Sequence, residues 1–396
     1  MENVNLPDKI ESIWMATAPA TNFLALTKNI ETEVVVIGGG LAGVNIAYSL
    51  KQKGFKVVLI EAGRIGCATS ANTTAKVTSL HELKYKYLVD SFGVKKAQMY
   101  ADANQWAIKE LGDIVERENI DCDFHIAPTY TFTTEQDGIA EIEQEIEIAK
   151  SLHLPATFSK PSIPESLNIL GAIRFDNQAY FHPRKYIIGL ANKIDDDTCH
   201  IFENTRATEM SETPDYCEVK ANNYTIKAKF VIEATNYPSL IHSGPLSGLS
   251  MTRSVIIASK INTTYPDGMF IGTAENDLSF RPHEGANKKW LITGAKHRGP
   301  DDNRDLSERL VDLAKQCDDA FSVQEIQYKW GAADTMSPDR IPLIGKIPGA
   351  QRLFVATGFS AWGMTNSFIS ARLLTDIITG TENEWQELYN PNRLGR

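Results

Sequence analysis

The sequence lacks the features of several functional classes. Its 40 Lys and Arg are outnumbered by 50 Asp and Glu, and the formal net charge of −10 argues against a nucleic-acid partner. No basic run interrupts this balance. None of the five cysteines forms C-x-x-C or pairs with a histidine at zinc-like spacing, so we expect no metal site. An odd number of cysteines is typical of free thiols in a reducing compartment.

Targeting and membrane-spanning segments are also lacking. The N-terminus carries Glu2, Asp8 and Glu11 and has no apolar signal core. A long uncharged run at 353–371 is interrupted by glycine, serine, threonine and asparagine, which makes it too polar for an unaided span. We therefore expect a cytoplasmic protein without a transmembrane segment. Residues 1–30 have no clear pattern and are predicted to be an irregular leader on the surface.

The strongest positive signal is an apolar strand that ends in G-x-G-x-x-G and opens into a helix. Gly38 permits the tight turn, Gly40 lets the backbone approach a pyrophosphate, and Gly43 permits close packing of helix on strand. A second strand ends in Glu61, at the spacing expected of the acid that binds an adenosine ribose. The order of strand, glycine turn, helix, second strand and acid predicts a dinucleotide site. The alternative is a buried βαβ unit that needs glycine only for its turn.

The distribution of patterns predicts an α/β protein with two interleaved domains. Strands and helices alternate at the start and return near the end, with β-rich material between them. We expect a Rossmann-like domain from residues 1–94, 181–245 and 331–396. Residues 95–180 and 246–330 would form an inserted α+β substrate domain on an antiparallel or mixed sheet.

A loop at residues 68–74 discriminates between cofactors. The βαβ unit suits NAD and FAD equally, but a nicotinamide dehydrogenase would continue with further βα units. This chain instead continues with small, hydroxyl-bearing and amide side chains. Such groups suit the pyrophosphate and ribityl oxygens of a long cofactor. The loop favours FAD, although a solvated loop would have the same composition.

The chain resembles the FAD-dependent D-amino-acid-oxidase-like superfamily, which includes glycine and sarcosine oxidases. The resemblance covers nearly the whole chain. It rests on the glycine motif with Glu61, the 68–74 loop, the strand end at 234–236 and the stretch 339–364. It implies the corresponding fold, with a Rossmann-like FAD domain and an inserted substrate domain.

Within that superfamily the chain is most similar to bacterial members that carry a C-terminal Rieske domain. The similar stretches are residues 69–76, 202–207 and the segment around Asp334. A Rieske centre needs two cysteines and two histidines, and nothing of that kind follows here. The electron acceptor, dioxygen or a redox protein, therefore stays open.

The resemblance also implies how FAD is held. Some relatives attach flavin to a cysteine upstream of the Asp-x-x-Pro segment, and residues 331–334 contain none, so we expect non-covalent FAD. The helix that follows the glycine-rich turn at 358–363 would direct its N-terminus at charge on the reduced ring. The implied cofactor contacts are Gly38, Gly40, Leu41, Ala42, Gly43, Glu61, Ala62, Arg64, Thr69, Ser70, Ala207, Ala234, Thr235, Gly358, Phe359, Gly363, Met364 and Thr365.

Catalytic candidates are weaker, and each has a structural alternative. Lys76 would lie near flavin N5 or form a structural ion pair, and Arg281 would clamp a substrate carboxylate or bridge domains. His297 would act as a base or lie in an ordinary loop, and Trp362 would form part of the cavity wall. His182 precedes a proline and suits a helix cap.

The predicted function is oxidation of a C–N bond in a small amine or amino acid. Hydride would pass to flavin N5, and the imine would then hydrolyse. Two alternatives remain open. One is a 2-hydroxy-acid or alcohol dehydrogenase on the same fold, and the other is a flavin electron-transfer subunit with a redox-protein partner.

Overall fold

The computed structural model describes residues 5–241, 246, 248–274, 278–285, 288–295 and 304–395. The strands in this part of the chain are β1 (Ile30–Glu31), β2 (Val34–Ile37), β3 (Val57–Ile60), β4 (Lys76–Val77), β5 (His125–Thr133), β6 (Ala156–Ser159), β7 (Gly171–Tyr180), β8 (His200–Phe202), β9 (Ala207–Glu212), β10 (Cys217–Ala221), β11 (Tyr224–Ala228), β12 (Phe230–Asn236), β13 (Ser250–Ile261), β14 (Met269–Gly272), β15 (Leu278–Gly285), β16 (Lys288–Ala295), β17 (Val323–Met336), β18 (Leu343–Lys346) and β19 (Leu353–Thr357).

The helices in the same part are α1 (Ile13–Thr17), α2 (Leu41–Gln52), α3 (Lys84–Glu118), α4 (Gly138–Ser151), α5 (Pro183–Ile194), α6 (Leu306–Phe321), α7 (Gly363–Thr379) and α8 (Gln386–Tyr389). Helix α3 is interrupted at Gly93, whose φ of 81° lies outside the helical region. None of the described helices is long and apolar enough to cross a membrane.

A six-stranded sheet in the order β18-β19-β12-β2-β3-β8 forms the Rossmann-like part of the fold. Its strands are parallel except for β18, which is antiparallel to β19. Every residue of β2 and β3 is buried, as expected of parallel strands covered on both faces. Helices α2, α5 and α7 pack on one face.

The other face of this sheet is covered by a four-stranded sheet in the order β1-β11-β10-β9. Val35 of β2 shares a core with Val219 and Ile226 from the hairpin β10–β11. That hairpin turns at Asn222, whose φ of 53° suits asparagine. The alternating residues at 217–227, with Asn222 and Asn223 between them, predict a hairpin from the sequence alone, and that hairpin is present.

A nine-stranded mixed sheet forms the second large unit, in the order β17-β13-β16-β15-β14-β5-β7-β4, with β6 paired to β7. Helices α4 and α6 pack against it. Its core contains the stacked rings of Tyr130, Phe270 and Phe280, with centroids 4.5 and 4.7 Å apart. The predicted α/β fold with an additional mixed-sheet unit is confirmed.

The chain passes between the two large sheets several times. Strand β4 of the nine-stranded sheet comes from within the segment 1–94, and β17 runs across the boundary drawn at 331. The domain boundaries remain a prediction. The predicted leader packs on the rest of the protein through Ile13 and Trp14, which are fully buried in its short helix α1.

In the Rossmann-like part, the backbone of α2 packs very closely on the backbone of the turn that precedes it. A Cβ at Gly43 would overlap the Gly38 carbonyl oxygen, and a Cβ at Gly38 would lie 2.5 Å from the Ala234 carbonyl oxygen. Gly38 also has a φ of 111°, which side-chain-bearing residues rarely adopt. These contacts require glycine at both positions.

The substitution Gly43→Ala is expected to destabilise the protein by about 2 kcal/mol or more, because the methyl group forces α2 away from β2. The matched control is Gly112→Ala, inside α3, where the new Cβ would meet the Phe124 ring at an ordinary 3.6 Å. That change should stabilise by about 0.5–1 kcal/mol, since alanine is the better helix former. Denaturation midpoints test both, and equal effects of the two substitutions would contradict the packing argument.

Candidate active site

The first turn of α2 presents unpaired backbone donors at the carboxyl end of β2. The Leu41 N–H donates to the Ser70 hydroxyl at 2.9 Å. The N–H groups of Gly40, Ala42 and Gly43 have no acceptor among the described residues. A helix N-terminus with free N–H groups suits a phosphate, through both hydrogen bonds and the positive end of the helix dipole.

Glu61 lies directly beside this turn. Its carboxylate accepts hydrogen bonds from the N–H of Gly39 at 2.7 Å and of Gly63 at 2.8 Å. Its carbonyl accepts from the Thr205 N–H at 2.8 Å, two residues before Ala207 at the start of β9. The structure thus places Glu61 close to the start of β9, where Ala207 lies, and both are predicted contacts of the adenosine part.

The loop at 69–71 continues from the glycine turn toward β17. A Cβ at Gly40 would lie 3.0 Å from the Ser70 hydroxyl oxygen. The neighbouring Thr69 hydroxyl donates to the Ala333 carbonyl at 3.2 Å, and the Asn236 amide donates to both groups. Ser70 and Thr69 therefore connect the phosphate-type site with the region of Ala333.

Thr69 also lines a cavity of about 660 Å³. The walls combine the 69–76 loop, the start of α3, strands of the nine-stranded sheet and the turn before α7. The lining residues are Thr69, Asn72, Thr73, Thr74, Lys76, His81, Glu82, Leu83, Lys84, Tyr87, Glu141, Thr252, Ser254, Ile256, Ile271, Thr273, Ser279, Gly294, Ala295, Ala332, Asp334, Met336, Arg340, Ser360, Ala361, Trp362 and Met364.

The turn before α7 has an unusual backbone. Gly358, Ser360 and Ala361 have φ values of 68°, 52° and 70°, in the left-handed region. The N-cap of α7, Trp362, makes no side-chain capping bond, and the N–H groups of residues 363–365 have no acceptor in the described part of the chain. Because Met364 lines the cavity, the positive end of α7 faces it.

Two of the catalytic candidates, Lys76 and Trp362, line the cavity, and their catalytic roles stay predictions. The Lys76 ammonium donates to the Ser279 hydroxyl, and burial, aided by nearby Arg281, holds the pKa of Lys76 well below its usual range. The Trp362 ring stacks on His81 with centroids 4.0 Å apart. His81 in turn contacts the Tyr100 hydroxyl through Nδ1 at 2.6 Å.

Arg281 does not line the cavity. Its guanidinium is fully buried and donates to the carbonyls of Thr74 at 2.6 Å, Pro282 at 2.8 Å and Phe181 at 3.4 Å. Its charge lies over the Tyr180 ring, 4.6 Å from the centroid. Burial lowers the pKa of Arg281 to about 9. This placement fits structural support rather than the predicted carboxylate clamp.

Three other candidates, Arg64, His182 and His297, do not line the cavity or lie outside the described residues. The Arg64 guanidinium donates to the Thr21 carbonyl in the leader, not to the phosphate-type site. His182 caps α5, where Nδ1 accepts from the Lys185 N–H at 3.2 Å, as the helix-cap interpretation predicts. His297 lies outside the described residues.

Two cavity residues, Asp334 and Lys84, were not among the sequence candidates. None of the described residues donates a hydrogen bond to the Asp334 carboxylate, and loss of solvent raises its pKa to about 6. The Lys84 ammonium donates to the Arg340 carbonyl. Burial and, to a lesser extent, the Arg340 charge lower the pKa of Lys84 to about 7. The available signals for Asp334 were the small-residue run before it and the family resemblance of the segment around it.

The family model for FAD dependent oxidoreductase (DAO) matches residues 33–377. The chain belongs to this family. A relative named as a Rieske 2Fe-2S iron-sulfur protein, YhfW of Bacillus subtilis (strain 168), is 31% identical over 97% of this chain and 76% of its own length. The gamma-glutamylputrescine oxidoreductase of Escherichia coli (strain K12) is 22% identical over 93% of this chain and 88% of its own.

Solved structures agree on the fold. The L-proline dehydrogenase from P. horikoshii superposes with a TM-score of 0.78 at 18% identity, covering 94% of this chain and 99% of its own. The resemblance inferred from the sequence is therefore confirmed. This DAO-family chain is an FAD-dependent oxidoreductase, and its free N–H groups at α2 and the close approach of Gly40 to Ser70 suit that cofactor.

We expect Asp334 to make the stability of this DAO-family protein depend on pH. Its folded pKa of about 6 exceeds the ordinary 3.8, so this group favours the fold below pH 4 and opposes it increasingly as pH rises through 6. We expect Asp334→Asn to leave stability unchanged near pH 4 and to raise it by about 1–2 kcal/mol above pH 7.

Denaturation at a series of pH values tests this. The control is Asp339→Asn, because Asp339 is bonded to Arg393 at 2.7 and 2.9 Å. That substitution removes the carboxylate that neutralises the Arg393 guanidinium, although its bonds to backbone carbonyls remain, and should lower stability at pH 7. Parallel pH curves for the wild type and Asp334→Asn would rule out the effect assigned to burial.

Proposed function

We propose that the protein oxidises a C–N bond of a small amine or amino acid, with non-covalent FAD as the hydride acceptor. The observation that carries this proposal is the half-buried carboxyl group of Asp334 in the wall of the cavity, to which none of the described residues donates a hydrogen bond. The name of the E. coli relative points to an amine-type substrate and that of the P. horikoshii structure to an amino acid.

The residues that would hold FAD are those that form a continuous surface from α2 to the cavity. The first turn of α2 and Glu61 would take the adenosine diphosphate part, and Ser70 and Thr69 the groups that follow. The first turn of α7 would face the flavin. When bound, FAD supplies the site that accepts a hydride from the substrate carbon.

Asp334 would prepare the substrate amine. An ammonium group has no lone pair with which to form the C=N bond, so its proton must leave before or during oxidation. A carboxyl group with a pKa of about 6 is mainly ionised at pH 7, and one of its oxygens is suited to accept that proton. Water then hydrolyses the imine to a carbonyl compound and an amine or ammonia.

The remaining walls would orient the substrate and limit access of water. Trp362, fixed by its stacking on His81, provides a rigid apolar face. Ile256 and Ile271 provide apolar surface from the nine-stranded sheet. The positive end of α7 would stabilise negative charge that develops in the cavity during the reaction.

The decisive experiment is an anaerobic substrate panel on FAD-loaded protein, followed by absorbance. We expect an amine or amino acid to bleach the flavin, because the cavity offers a carboxylate for the amine. Bleaching by 2-hydroxy acids alone would instead support alcohol oxidation. Reduction only by a redox protein would support an electron-transfer subunit, and hydrogen peroxide release in air would identify dioxygen as the acceptor.

With the best reductant from that panel, Asp334→Asn should lower kcat/KM about 100-fold at pH 7, a typical contribution of a general base. The acid limb of the wild-type profile, with an apparent pKa of about 6, should disappear. The control Asp339→Asn should retain that limb, since Asp339 does not line the cavity. An acid limb that persists in Asp334→Asn would assign the proton transfer to another group.

A further inference from the structure

The N-terminal leader inserts one large side chain beside the cavity loop. Trp14 lies in the short helix α1, is fully buried, and donates its indole N–H to the Thr73 carbonyl at 2.7 Å. Thr73 and the following Thr74 line the cavity. A residue near the start of the chain therefore holds backbone that forms the cavity wall.

A second long-range donor holds the next carbonyl. Arg281 of β15 donates its Nε–H to the Thr74 carbonyl at 2.6 Å. Its guanidinium also lies over the Trp14 ring, 5.2 Å from the centroid. Trp14 and Arg281 thus act as one unit that fixes two successive carbonyl groups.

These two bonds immediately precede a strained residue. Ala75 is buried and has a φ of 56°, a left-handed conformation that alanine rarely adopts. Such a conformation persists only where the surroundings fix it. The next residue is Lys76, whose ammonium lies at the cavity. The position of Lys76 therefore depends on how the carbonyls of Thr73 and Thr74 are held.

The leader is anchored on both sides of Trp14. The Glu11 N–H donates to the Lys329 carbonyl of β17 at 2.9 Å. The Thr17 hydroxyl contacts Nε2 of His182 at 3.0 Å, and the Arg184 guanidinium donates to the Ala18 carbonyl at 3.2 Å. These contacts tie α1 to the edge of the nine-stranded sheet and to α5, so Trp14 is held rigidly.

We propose that Trp14, together with Arg281, is a positioning residue of the active site. It fixes the 73–76 segment against the bound flavin and the substrate, so the leader is a functional part of the cavity rather than a covering segment. This inference rests on the proposed function for the substrate, but its effect on the cofactor environment requires only bound FAD.

The test compares Trp14→Phe with Trp385→Phe in the FAD-loaded protein. Trp385 is a suitable control because its indole N–H has no hydrogen-bond partner among the described residues and it packs on Trp106, away from the cavity. Both substitutions should lower the thermal midpoint. Only Trp14→Phe should shift the flavin absorption maxima and midpoint potential and raise the Kd for FAD, by roughly three- to tenfold for one lost hydrogen bond.

Flavin spectra, potential and affinity in Trp14→Phe that match those of the wild type would overturn the proposal, whatever its stability. If Trp14→Phe does not fold, Arg281→Lys decides, since it keeps the charge but removes the Nε–H that holds Thr74. The same flavin changes in Arg281→Lys support the proposal, and their absence overturns it. A wild type that no amine or amino acid reduces would refute the proposed reaction and leave these flavin measurements interpretable.

Discussion

The contact between Gly43 and the Gly38 carbonyl is the constraint on which the cofactor end of the structure depends. Because no Cβ separates them, α2 begins directly at the carboxyl end of β2. Its unpaired N–H groups then lie next to the Glu61 carboxylate and within reach of Ser70. A methyl group at position 43 would push α2 away from β2 and so separate its first turn from Glu61 and Ser70.

The cavity shows a second physical theme, which is burial of charge without close pairing. Lys76, Lys84 and Asp334 all have pKa values displaced mainly by loss of solvent. Such groups oppose folding, so a chain selected only for stability would not retain them. Their position around a single cavity, beside the positive end of α7, is what an active site requires. Packing of the apolar side chains in the two large sheets offsets the unfavourable free energy of these groups.

Sequence patterns predicted the turns and helix starts that depend on neighbouring residues in the chain. The glycine turn, the hairpin at 217–227 and the helix that begins at Pro183 follow from periodicity and turn residues, and all three are present. The cofactor and the fold followed from several motifs in the right order. The helix expected after the glycine-rich turn at 358–363 is also present and begins at Gly363, without a side-chain cap on its first turn.

Long-range placement could not be predicted in the same way. An arginine in a strand pattern looks the same whether it holds a substrate or, as Arg281 does, the Thr74 carbonyl. The burial of Trp14 depends on residues far along the chain, and no periodicity in the leader predicts it. Asp334 is perturbed by the walls around it, which only the assembled fold provides.

The interleaved sheets have a consequence for biosynthesis. Strand β2, whose Val35 pairs with Val58 of β3, acquires its other neighbour only when Val231 of β12 has been made, and β12 in turn waits for Leu353 of β19. The central sheet therefore cannot be completed until β19, which ends at Thr357, has been synthesised. Pairing between strands so far apart in sequence is slow to form, so the apolar strands β2 and β3 stay without their full set of neighbours until late in folding.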